Sequence, residues 1–138
     1  MRILSLDVGE KRIGVAMSDP LGILASPLTQ INITGTKAAI EAILELVRQH
    51  EVERIIAGLP YSIDGSLGPQ AQRVGSFLRK LSECLDIPIE TWDERYTTVA
   101  AEGKMIEAGV RKDKRKKQID AAAAAIILQE YLDTVRTE

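Results

Sequence analysis

The chain contains one cysteine, one histidine, one tryptophan and one phenylalanine in 138 residues. With Cys84 alone there is no internal disulfide, as suits a reducing compartment. His50, at the end of a helical pattern, cannot by itself build a zinc cluster, and it is not placed to serve Cys84 as a base. Aromatic residues make up only 4% of the chain, which points to an aliphatic, alanine-rich core and to little stacking on nucleic-acid bases. There is no signal-peptide pattern and no run of 18 apolar residues, so the expectation is a cytoplasmic protein without a membrane span. The net charge of −2 gives no overall pull toward polyanions.

What is present is 45% hydrophobic residues, enough for one globular domain over residues 1–138. Ile3, Leu4, Leu6 and Val8 form a nearly continuous apolar run, as expected of a strand covered on both faces. Asp7 interrupts that run. A carboxylate on a central strand costs several kcal/mol unless a cation or hydrogen bonds compensate it. Residues 12–18 read as a second strand, separated from the first by Gly9, Glu10 and Lys11, which predicts a β-hairpin with Asp7 at its mouth. On these residues alone Asp7 is either a turn cap or a functional acid.

A third strand is expected over residues 24–33, where Pro27 implies an edge or a bulge. Thr36 is the expected cap of a helix over 37–50, in which Ile40, Ile43, Leu44 and Val47 share a face. Residues 52–57 form a fourth strand, followed by a loop over 61–69. A second helix starts at Pro69 and runs to about Leu85, with Val74, Leu78, Leu81 and Leu85 on one face, and a fifth strand covers 87–92. A third helix, capped by Thr97 or Thr98, stops near Gly109. A basic loop over 110–117 leads into a last helix over 118–136. This order predicts an α/β fold with a central mixed five-stranded sheet and helices on both faces.

Acids fall at element ends: Asp7, the pair Asp93 and Glu94, and Asp120. Asp120 shares a helical stripe with Ala124, Ile127 and Tyr131, which assigns it to the sheet-facing side. Taken singly, each acid has an ordinary explanation in a cap, a turn or an ion pair. Together they would repel one another, so a cluster of them implies a divalent cation. Oxygen ligands select Mg²⁺ or Mn²⁺, with Asp7, Asp93 or Glu94, and Asp120 as the candidate metal ligands. The corresponding chemistry is phosphodiester hydrolysis. Residues 111–117 carry six positive charges and one negative. Arg111, Lys112, Lys114, Arg115, Lys116 and Lys117 are therefore candidate contacts to substrate phosphates, as are Arg12 and Arg95.

Four stretches then match a known pattern: LSLDVGEKRIGVAMSD at 4–19, IIAGLPYSIDGS at 55–66, WDERYTT at 92–98 and IDAAAAAIIL at 119–128. In this order the chain resembles the YqgF, or RuvX, family of RNase H-like proteins. The resemblance implies a three-layer RNase H-like fold and a metal-dependent nuclease. It places catalytic acids at Asp7, at Asp93 or Glu94, and at Asp120. It also implies a role in 5′-end processing of pre-16S ribosomal RNA, with structured RNA precursors and pre-ribosomal particles as partners. Resolution of four-way DNA junctions and non-catalytic binding of RNA during ribosome assembly are the alternatives. A junction resolvase would act as a homodimer; an RNA-processing enzyme could be a monomer.

Overall fold

A computed structural model describes residues 2–59, 68–93 and 112–137, with the backbone alone described for 112–120 and 136–137. Its elements are β1 (Ile3–Val8), β2 (Arg12–Ser18), β3 (Ala25–Asn32), α1 (Thr36–His50), β4 (Arg54–Leu59), α2 (Pro69–Ser82), β5 (Ile89–Asp93) and α3 (Lys112–Thr137). The strands form one mixed sheet in the order β3-β2-β1-β4-β5. β1 pairs antiparallel with β2 and parallel with β4, and β4 pairs parallel with β5.

β1 lies at the centre, and all six of its residues are buried. Alternation divides them between two layers. Leu4, Leu6 and Val8 join Ile13, Val15, Ile55, Ala57 and Leu59 under α1 and α2. Those helices contribute the residues their spacing predicts, Ile40 and Ile43 from α1 and Val74, Leu78 and Leu81 from α2. On the other face Ile3 and Ile56 pack with Ile127, Leu128, Tyr131 and Leu132 of α3. The expected sheet covered on both faces is therefore observed.

The hairpin is also as expected. Val8 pairs with Ile13, and the Gly9 N–H donates to the Arg12 carbonyl at 2.8 Å, which leaves Glu10 and Lys11 as the loop. A Cβ on Gly9 would stand 2.9 Å from that carbonyl oxygen, so this position needs a residue without one. β3 is an edge strand. Its register slips opposite Val15 and Ala16, where Thr29 and then Pro27 are the partners and Leu28 is the extra residue.

Several boundaries differ from expectation. Gly35, not Thr36, is the N-cap of α1; Thr36 is already helical, and no side chain caps this end. α2 stops at Ser82, although Leu85 still packs on the α1/α2 core. β4 runs on to Leu59, and β5 begins at Ile89, after Pro88. The largest correction concerns the basic stretch, since Lys112 to Lys117 belong to α3 and not to a loop. Lysine and arginine are good helix formers, and neither glycine nor proline occurs between residues 112 and 137 to interrupt the helix. Residues 61–67 of the expected loop over 61–69 and the expected helix ending near Gly109 lie outside the described residues, and Pro69 is already helical.

Candidate active site

Three polar side chains are buried among the described residues: Ser5, Ser18 and Asp7. Ser18 Oγ accepts the Ile3 N–H at 2.9 Å, and Ser5 Oγ donates to the Ala124 carbonyl at 2.7 Å. Asp7 is the only charged member, 9% exposed, and strand alternation puts it on the same face as Ser5, toward α3.

The register clears space around Asp7. Its partner on β2 is Gly14, which in turn pairs with Gln30 on β3. On the other side Leu6 pairs with Ala57, so the next step of the same register brings Gly58 alongside Asp7, and Gly58 pairs with Trp92. Glycines thus occupy the flanking positions on both neighbouring strands. At the end of this cross-strand row the buried Oε1 of Gln30 has no hydrogen-bond partner among the described residues. Neither glycine's importance is readable from the sequence alone, because each depends on the pairing register.

α3 runs antiparallel to β1. Ser5 meets Ala124, whereas Ile3, nearer the start of β1, packs with Ile127, Tyr131 and Leu132. Proceeding from Ser5 to Asp7 along β1 therefore means proceeding from Ala124 toward Asp120 along α3. Two strand residues and four helical residues both cover about 6–7 Å. Ala121, Ala123 and Ala124 are buried, and their small side chains let the helix lie close to the sheet. The far half of α3 is held by Gln129, whose Oε1 accepts the Ala25 N–H and whose Nε2 donates to the Ile23 carbonyl, both at 2.9 Å. Beneath it, Arg54 Nη1 donates to the Tyr131 hydroxyl at 3.1 Å and to Glu90 at 3.2 Å, and these acceptors raise the arginine's pKa, the hydroxyl more than the carboxylate.

The end of β5 reaches the same rim as the end of β1, as parallel order predicts. Its pleat separates the two candidate acids. Asp93 pairs with Leu59, a member of the α1/α2 core, so alternation puts Asp93 on the side away from Asp7. Trp92 lies on the α3 side, where it meets Tyr131 edge-to-face at 5.8 Å and donates from Nε1 to Glu130 at 3.1 Å. Glu94, Arg95 and Arg111 lie outside the described residues, as do the side chains of Lys112, Lys114, Arg115, Lys116, Lys117 and Asp120. Among the described residues no group of three acids, histidines or cysteines is arranged to hold a metal, Asp7 being the one expected ligand whose side chain is described. Arg12 is half-buried and lines a cleft with Lys11 and Gln70. Cys84 is exposed.

This arrangement is the fold of RuvC-like, RNase H-type resolvases. The chain superposes on RuvC of T. thermophilus, solved with a Holliday junction substrate, with a TM-score of 0.64 at 13% identity over 99% of this chain and 96% of that one. The fowlpox virus Holliday junction resolvase gives 0.61 at 14% identity, over 98% and 99%. Within this class, residues 1–134 match the RuvX family, described as "Holliday junction resolvase", and the chain belongs to that family. A protein of Desulforamulus reducens is 48% identical over 134 residues, covering 97% of this chain and 98% of its own length. One of Roseiflexus sp. is 48% identical over 135 residues, covering 98% and 96%. Both are named "Putative pre-16S rRNA nuclease". The family resemblance carried by the four motifs is thus borne out.

Proposed function

We propose that this chain is a cytoplasmic, divalent-metal-dependent nuclease that trims the 5′ end of pre-16S ribosomal RNA, acting as one domain over residues 1–138. The observation that carries the reading is Asp7: a buried carboxylate, flanked by glycines, on the face whose register leads along α3 to Asp120. The strand alternation that turns Asp93 away would, continued by one residue, give Glu94 the same side as Asp7. Asp7, Glu94 and Asp120 are then the proposed ligands, an all-oxygen set suited to Mg²⁺ or Mn²⁺.

When bound, such an ion supplies charge that activates water for attack on phosphorus and offsets charge developing on the leaving oxygen. The protein contributes placement. β1 holds Asp7 rigidly, the buried alanines bring the helix backbone close, and the Ser5–Ala124 bond sets how far along the helix Asp120 falls. The basic residues at 112–117 sit in the first turns of the same helix and would draw a phosphodiester chain toward the acids. The name carried by the relatives at 48% identity supports ribosomal RNA as the substrate, and the family description keeps a DNA junction as the second reading.

The test is incubation of the pure protein with end-labelled pre-16S RNA and with a synthetic four-way DNA junction, in Mg²⁺, Mn²⁺ or EDTA. Cleavage of the RNA with metal, none in EDTA, and none by Asp7→Asn or Asp120→Asn is the expected result. Preferential cutting of the junction by a homodimer would replace the RNA reading with resolution. Undiminished RNA maturation by both variants would make the protein a non-catalytic assembly factor that binds pre-ribosomal particles.

A further inference from the structure

The function proposed above uses the α3 side of the sheet. A second basic surface lies on the opposite side of the hairpin. Where β1 ends, a cleft of about 210 Å³ opens between the hairpin and α2, with Arg73, Ser76 and Lys80 on its wall. These three residues are spaced by three and four, so they form one stripe, and all three are exposed. A second cleft, of about 340 Å³, shares Gly9 and Glu10 with the first and continues around the hairpin tip to Lys11, Arg12 and Gln70.

The charge of this surface differs from that of the chain. Acids outnumber bases 20 to 18 overall, yet α2 carries Arg73, Arg79 and Lys80 and no acid. Among the described residues the only acid lining either cleft is Glu10, which pairs with Arg73 at 3.3 Å while both side chains are well exposed. An exposed pair of this kind holds weakly, so Arg73 can exchange the carboxylate for another anion. Ser76 adds a hydroxyl donor, and half-buried Phe77 forms an apolar floor against which a sugar can rest.

We propose that this cleft binds the sugar–phosphate backbone of the substrate beyond the cleavage point, so that the nucleic acid bends around the hairpin tip from the α3 side to α2. Arg73 and Lys80 contact phosphates and Glu10 weakens the contact. The proposal rests on the nuclease reading for its ligand, and it adds a surface none of whose α2 residues belongs to the acid site.

The test is fluorescence anisotropy of a labelled RNA hairpin carrying a single-stranded 5′ extension, titrated with full-length protein in EDTA over a range of NaCl. The double variant Arg73→Ala/Lys80→Ala is expected to bind roughly tenfold more weakly near 0.1 M salt, with the log–log salt slope reduced by about 1 per side chain removed. Glu10→Gln is expected to bind more tightly than wild type, which keeps the test decisive if the double variant folds poorly. Thermal melts establish which variants are folded. Affinity and salt slope unchanged in both variants, with wild type still binding and cutting RNA, would overturn the cleft alone. Wild type that binds no RNA would overturn the cleft together with the nuclease reading.

Discussion

Ser5 and Ala124, 119 residues apart, are joined by a 2.7 Å hydrogen bond from a strand hydroxyl to a helix carbonyl. The bond is buried and stands one strand repeat below Asp7 and one helical turn above Asp120. It therefore fixes the sliding position of α3 on β1. Ser5→Ala removes the donor and leaves the carbonyl with its helical partner, so a loss of about 1 kcal/mol is expected from urea unfolding. Ser5→Leu adds bulk where the side chain has no exposure and lifts the helix, at a cost of roughly 1–3 kcal/mol. Cleavage by Ser5→Leu should fall further than its folded fraction does, because the acids lose their register. Equal falls in both would show that the bond serves stability alone.

Asp7 tests the metal directly. Mg²⁺ that binds only the folded protein stabilises it, by about 2.7 kcal/mol at a hundred times its Kd. Wild type is expected to melt at a higher temperature as Mg²⁺ is added, and to lose that shift in EDTA. Asp7→Asn should melt at one temperature throughout and cut nothing. A Mg²⁺-dependent shift of the same size in the variant would place the ion elsewhere.

Gly9 is constrained by space. Its backbone is ordinary, but a Cβ would meet the Arg12 carbonyl oxygen at 2.9 Å, and that atom is backbone in the adjoining strand. Gly9→Ala must shift the hairpin, with an expected loss of about 1–2 kcal/mol in urea unfolding. Since Asp7 lies two residues earlier, cleavage should drop as well. An alanine variant as stable and active as wild type would mean that the hairpin yields at no cost.

Much of this was legible in the chain. The apolar run broken only by Asp7 specified a central strand, and the short interval to Arg12 specified a hairpin. Pro27 marked the edge strand, and the helical stripes named the core residues of α1 and α2. Other features depend on information that a pattern lacks. The stretch 112–117 is polar on every side, so no apolar periodicity betrays its helix; only the propensities of lysine and arginine do. Thr36 looked like a cap, yet the backbone turns into the helix one residue sooner, at Gly35. The side of the sheet that Asp93 takes turns on the pleat of β5, which the pairing with β4 determines. Gly14 and Gly58 gain meaning only once strand register sets them beside Asp7.

Asp19 shows what an acid does when a turn is its whole task. Its Oδ1 accepts the N–H groups of Ile23 at 2.7 Å and Leu24 at 3.2 Å, and these bonds, Ile23 first, lower its pKa below the ordinary 3.8. A carboxylate with a lowered folded-state pKa adds stability that is present above the unfolded value and is lost as pH falls through the folded one. The turn also prepares α3's anchorage, because Gln129 binds the Ile23 carbonyl and the Ala25 N–H on either side of Leu24. Asp19→Asn keeps an acceptor oxygen but no charge, so it should be less stable than wild type by a constant amount from pH 7 to 5. Below 3.8 the difference should shrink, as the wild-type carboxylate takes up its proton. Comparing the two proteins at each pH removes the acid unfolding they share through their other carboxylates. A difference that persists undiminished at pH 2.5 would assign the effect to side-chain geometry and not to charge.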